Sequence, residues 1–107
     1  MNVPAPASHE QTETQFEIRR RRLVFRSWNR GTQESDLILG SFAEASLTDF
    51  DGNQLDRFEA LLDCSDPDLF DWMFGIGEPP AQHNHDVMRR LRDFCAAPRS
   101  MRQYGYS

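Results

Sequence analysis

The sequence contains no lysine, only two cysteines, and no apolar run approaching the ~20 residues of a membrane-spanning helix. Each shortage removes a class of protein. Two cysteines, Cys64 and Cys95, are too few for a disulfide scaffold and suit reduced, packed thiols. Without a hydrophobic span, no stable membrane association is expected. The start lacks a basic segment followed by an apolar one, and Glu10, Glu13 and Glu17 precede the first arginine. Neither a secretory signal nor a mitochondrial presequence fits that pattern, so the chain reads as bacterial and cytoplasmic. Nucleophile–base pairs, glycine-rich phosphate loops and dinucleotide fingerprints are also missing; Gly75 and Gly77 follow a helical pattern rather than precede one. Such a chain is not expected to be an enzyme or to hold a cofactor stably.

The charge that is present is sorted along the chain. Residues 1–30 carry six arginines against three glutamates, +3; residues 31–86 carry thirteen acids against Arg57, −12; residues 87–107 carry five arginines against Asp93, +4. An acidic middle between basic ends suggests a patchy docking surface for a protein partner. It argues against nucleic acid, whose phosphates would meet the acidic belt.

At 107 residues the chain is one domain. Residues 1–15, with Pro4, Pro6 and little apolar bulk, read as a disordered arm; 16–98 form the domain and 99–107 a tail. Apolar residues recur at helical spacing almost throughout, predicting an all-α bundle of five helices near 16–29, 33–47, 52–64, 67–74 and 84–96. Ile18, Phe25 and Trp28 fall on one face of the first helix, with Val24 beside them, and Leu37, Ile38, Phe42 and Ala45 are placed on the inner face of the second. Asp51 with Gln54 makes a capping box for the third, which turns Leu55, Phe58, Leu61 and Leu62 inward. Asp66 is expected to cap the fourth with Pro67 at its first position, Gly75 to stop it, and Trp72 and Phe74 to pack inside. The core is expected to include Leu69, Met73, Leu91 and Phe94 as well.

Four segments in order carry a resemblance: Arg30-Gly31-Thr32-Gln33-Glu34; Asp36-Leu37-Ile38-Leu39 running on to Ala43; Phe58 to Asp63; and Asp66-Pro67-Asp68-Leu69-Phe70-Asp71-Trp72. Together they resemble the succinate dehydrogenase flavinylation factors (SdhE type, also labelled antitoxin), with their Arg-Gly-x-x-Glu signature and Asp-x-Asp-Leu-x-x-Trp pattern. The likeness spans about 17–75. Asn29 departs from it, standing where many members have a basic residue, and the N-terminal arm is longer than in the shortest members.

The resemblance implies a monomeric, non-enzymatic factor whose partner is the flavoprotein subunit of succinate dehydrogenase, with fumarate reductase as a further candidate client. Such a factor acts on FAD attachment in the partner, where a client histidine bonds the flavin, and supplies geometry rather than chemistry. It implies Arg30, Gly31, Glu34 and neighbouring Asp36 as the partner-binding residues. The plainer reading makes Arg30 and Glu34 an ion pair four residues apart, worth about 0.3–0.5 kcal/mol, and Gly31 a turn. The alternative, from the family's other label, is a small antitoxin-like regulator of a toxin or RNA.

His83-Asn84-His85 lacks a further ligand at metal spacing and reads as a cap for the last helix. The aspartates from 63 to 71 lack the glycine and terminal glutamate of a calcium loop. The run Arg19 to Arg22 spans every face of a helix and so cannot form one stripe.

Overall fold

The computed structural model describes residues 12–96; the expected tail and all but the last residues of the arm lie outside them. Five α-helices follow one another: α1 Glu13–Trp28, α2 Gln33–Ser46, α3 Gly52–Leu62, α4 Asp66–Met73 and α5 Asp86–Cys95. Two short 3₁₀ turns, Leu47–Asp49 and Ala81–His83, join them, and no strand occurs among the described residues. The all-α bundle is therefore as the periodicity indicates. The helix begins earlier than the arm boundary at 15 allowed, because Thr12 and Gln15 form a capping box that starts α1 at Glu13.

Local signals set most of the ends. Asp51 Oδ1 accepts from Gln54 N at 2.9 Å while Gln54 Oε1 accepts from Asp51 N at 3.0 Å, closing the expected box on α3. On α4 the cap is Ser65, not Asp66, whose backbone is already helical with Pro67 behind it. The carboxylate of Asp66 is thereby released for another task. Gly75, at φ +75°, takes the left-handed position that only glycine adopts easily, and Ile76 N donates to Asp71 O at 2.8 Å. His85 caps α5: its Nδ1 accepts from Met88 N at 3.2 Å.

The core gathers Leu23, Leu39, Phe42, Leu47, Phe50, Leu55, Phe58, Leu61, Leu62, Leu69, Met73, Val87, Met88 and Leu91. Phe42 sits at its centre, 5.6 Å from both Phe58 and Phe94 and 6.2 Å from Phe50 between ring centres. Leu37 and Phe94 are only partly buried.

Two inward assignments, Ala45 and Phe74, are corrected, and the shared face of Ile18 and Phe25 on α1 is the outer one. Ile18 and Phe25 face solvent, at 48% and 66% exposure, and the buried face of α1 is Leu23 with Ser27. On α2 the inner face runs through Leu39, Gly40, Phe42 and Ala43, leaving Ala45 outside. Phe74, 49% exposed, lies past the end of α4 beside Phe70. The cause for α1 is its close contact with α2. The Trp28 indole lies against the backbone of Gly40, where an added Cβ would stand 2.1 Å from a ring carbon. Its Nε1 donates to Glu44 at 2.9 Å. Buried Ser27 turns its hydroxyl back onto Leu23 O at 2.7 Å, so a small polar residue occupies the helix crossing without an unmet group.

Two outcomes follow. Gly40→Ala gains helix propensity but displaces the Trp28 ring, so unfolding in urea should show a net loss of about 1–3 kcal/mol. His85 has its pKa lowered from 6.5 by burial first and by the nearby Arg57 charge, with Asp86 opposing and His83 adding to the shift. The unfolded chain then binds the proton more readily, so stability should be full above about pH 6.5 and fall as pH drops below it. His85→Asn keeps a capping acceptor that does not titrate, and should lose less between about pH 7.5 and about pH 5.5 than the parent. Equal losses would exclude this cap as the titrating element.

Candidate partner-binding surface

The connection between α1 and α2 is four residues long, Asn29 to Thr32, and three separate interactions fix it. Asn29 closes α1, its Nδ2 donating to Phe25 O at 2.8 Å. Thr32 caps α2 by accepting from Ser35 N at 3.2 Å. Asp36, one turn into α2, reaches back so that a single carboxylate oxygen accepts from Arg30 N at 2.6 Å and Gly31 N at 3.2 Å.

Arg30 points inward. Its Nε donates to Asp66 Oδ1 at 2.7 Å, one terminal nitrogen to Leu62 O at 2.6 Å and the other to Cys64 O at 2.8 Å. The side chain is 11% exposed. Leu62 O and Cys64 O are carbonyls left over where α3 ends, and Asp66 opens α4. One guanidinium therefore closes α3, salt-bridges the start of α4 and ties both to the end of α1. Only the planar five-donor fork of arginine can serve acceptors spread in this way. The Arg30–Glu34 ion pair of the plainer reading does not form; the partner is Asp66, 36 positions away and invisible to local spacing.

With Arg30 and Asp36 committed to the protein, Gly31 and Glu34 are the members of the motif left exposed, beside Asn29, Thr32 and Gln33. Gly31 has φ +122°, a conformation that side-chain-bearing residues rarely adopt, yet nothing lies within 4 Å of where its Cβ would be. The glycine is thus required by the backbone, and open space lies in front of it. Glu34 stands in the first turn of α2, where the helix dipole favours a carboxylate.

The other singled-out groups are placed differently. Trp72 is half-buried and stacks on His83 with ring centres 5.5 Å apart. The Nε2 of His83 lies 3.5 Å from Cys64 Sγ. Burial, then the charges of Asp68 and Asp63, push the Cys64 thiol above its ordinary pKa, which disfavours the reactive thiolate. Among the described residues, no three His, Cys, Asp or Glu side chains are grouped to hold a metal. The arginine run divides: Arg19 pairs with Asp56 and Glu59 on α3, Arg20 donates to Leu47 O and Phe50 O, and Arg21 and Arg22 are exposed.

Residues 21–95 match the family described as the flavinator of succinate dehydrogenase. The chain belongs to that family. It is 38% identical over 79 residues to the FAD assembly factor SdhE of Acetobacter pasteurianus, covering 74% of this chain and 72% of that protein. It is 33% identical over 82 residues to the mitochondrial succinate dehydrogenase assembly factor 2 of Dictyostelium discoideum, covering 77% and 58%. With the mitochondrial assembly factor 2-A of Drosophila willistoni it shares 31% over 94 residues, covering 86% and 60%. The match thus spans about three-fifths of the length of these mitochondrial relatives. The antitoxin-like alternative finds no support among these relatives.

The clamp makes a measurable demand on Arg30. Arg30→Lys keeps the charge but cannot reach three acceptors, so it should lower the free energy of urea unfolding by about 2–4 kcal/mol. An unchanged midpoint would show that the fork is not needed to join α1 to the α3–α4 corner.

Proposed function

We propose that this chain binds the flavoprotein subunit of succinate dehydrogenase and promotes covalent attachment of FAD to it, without contributing a reacting group. Gly31 and Glu34 form the contact, and Arg30 and Asp36 hold them in place. The observation that carries this reading is the division of labour in the turn. Arg30 and Asp36 are bonded within the chain, so exposed Gly31, with open space before it, and exposed Glu34 sit on a braced base. A backbone without a side chain admits close approach of a partner's main chain, and an exposed carboxylate offers it a charged hydrogen-bond acceptor. Family membership supports the choice of client, and the names of the bacterial and mitochondrial relatives support the choice of process.

The rest of the molecule agrees with an assisting role. Burial and the charges of Asp68 and Asp63 raise the Cys64 pKa and disfavour its thiolate, and the two histidines described serve as a core ring and a helix cap. A factor of this kind acts by positioning: it holds the client so that histidine and flavin meet, converting an improbable encounter into a local one. It acts as a monomer in the bacterial cytoplasm, keeps no FAD of its own, and can serve fumarate reductase if that flavoprotein offers the same surface.

The test compares variants of the turn, with covalent flavin read as in-gel fluorescence of the denatured client subunit. Gly31→Ala and Gly31→Arg share the same backbone strain, so both should lose about 1–2 kcal/mol of stability. Only the arginine fills the open space, and only it should abolish client binding. Glu34→Ala should fold normally and lower client flavinylation through weakened binding, a loss that excess factor restores by mass action. A Glu34→Ala chain that binds normally yet cannot be rescued at any concentration would mean that this carboxylate takes part in the chemistry.

A further inference from the structure

The outer face of α1 buries none of its large side chains: Ile18, Arg21, Arg22 and Phe25 are all exposed. Ile18 and Phe25 are seven residues apart, two helical turns and about 10 Å, and so lie on one stripe. They are 48% and 66% exposed. Arg22 lies between them and Arg21 beside them, both exposed and, unlike Arg19, Arg20, Arg26 and Arg30, bonded to nothing among the described residues. The opposite side of the helix, Leu23 and Ser27, is the side that packs. The stripe runs on to Asn29, whose amide is bonded back to Phe25 O, and so leads into the Gly31 turn without a break.

We infer that this stripe is the second half of the partner contact, and that it takes a surface of the same flavoprotein subunit made of an apolar centre with carboxylates around it. The inference rests on the function proposed above and extends its site. Charge selects the occupant. Nearly all of the acidic middle's surface would repel a carboxylate, whereas here two unpaired guanidinium groups flank an exposed aromatic ring. Phenylalanine and arginine are the residue types that protein interfaces gather at their centres, while lone apolar side chains scattered on a surface need no such company. Nucleic acid fits poorly, because two arginines beside isoleucine and phenylalanine offer little to phosphate and much to an apolar side chain. The two halves then divide the work: Gly31 and Glu34 fix register at the turn, and the stripe supplies buried area and a salt-dependent attraction.

Binding of the purified, non-flavinylated subunit to the full chain decides the matter, with Glu34→Ala as reference. The double variants Ile18→Ser/Phe25→Ser and Arg21→Glu/Arg22→Glu should keep the parent's unfolding midpoint, since neither pair is buried. Each should weaken binding at least about tenfold, and charge reversal should also flatten the fall of affinity with added salt. Parent-like binding by both doubles, with Glu34→Ala weakened, overturns the stripe and leaves the turn as the contact. If sedimentation shows the parent self-associating and Ile18→Ser/Phe25→Ser monomeric with client binding unchanged, a second copy covers the face and the inference falls. A parent that does not bind the subunit overturns this inference and the functional reading together.

Discussion

The fold depends on arginines borrowed across the sequence to close helices that cannot close themselves. None of α2, α3 and α4 has a basic residue in its last turn, so their terminal carbonyls and the negative end of each dipole lack a local cation. The missing cations come from the two basic segments. Arg20 donates to Leu47 O and Phe50 O after α2, Arg30 to Leu62 O and Cys64 O after α3, and Arg92 to Trp72 O near the end of α4 at 2.7 Å. Arg20 and Arg30 each use several donors of one planar guanidinium, a fork that lysine lacks, and Arg92 also reaches Gly77 O at 3.4 Å. The absence of lysine and the sorting of charge along the chain are thus two aspects of one construction.

That construction changes the meaning of the charge blocks. Read from sequence, an acidic middle between basic ends looks like three surface patches. In the folded chain, α1 lies along α3 with Arg19 on Asp56 and Glu59 and Arg26 on Asp63, so much of the basic block faces the acidic one. These exposed pairs add little stability singly. Their effect is on the surface of α1: Arg19 and Arg26 are paired and Arg20 is bonded to carbonyls, which leaves Arg21 and Arg22 as the arginines of this helix without a bond among the described residues.

Legibility followed range. The capping box at Asp51 and Gln54, the stop at Gly75 and the cap by His85 are contacts within a few residues, and each could be read directly. So could the inward face of α3, whose apolar positions repeat cleanly at Leu55, Phe58, Leu61 and Leu62. The face of α1 was not legible, because its large apolar residues are not its buried ones. Leu23 and Ser27 are buried, Trp28 lies across Gly40, and Phe16 and Val24 pack half-buried against the core. Pattern reading rewards size and has no way to credit a serine at a tight crossing. The Arg30–Asp66 bridge escaped for a different reason, since a partner 36 residues away leaves no trace in spacing.

The same distinction explains the candidate site. Its residues were recognisable as a motif, but a motif does not say which members touch a partner and which hold the others still. The hydrogen bonds divide the members by what they do in the fold: Arg30 and Asp36 spend their charged groups within the chain, whereas the Glu34 carboxylate makes no bond among the described residues and Gly31 is exposed. The positioning role proposed for this chain needs that separation. If its contact residues were also free to relax, binding the client would first require ordering the turn, and part of the binding energy would be lost to it. With the turn fixed by Asp36 from one side and the α3–α4 corner joined to it through Arg30 from the other, the ordering is completed when the protein folds. Under the proposed function, contact energy at Gly31 and Glu34 then goes into holding the client rather than into ordering the turn.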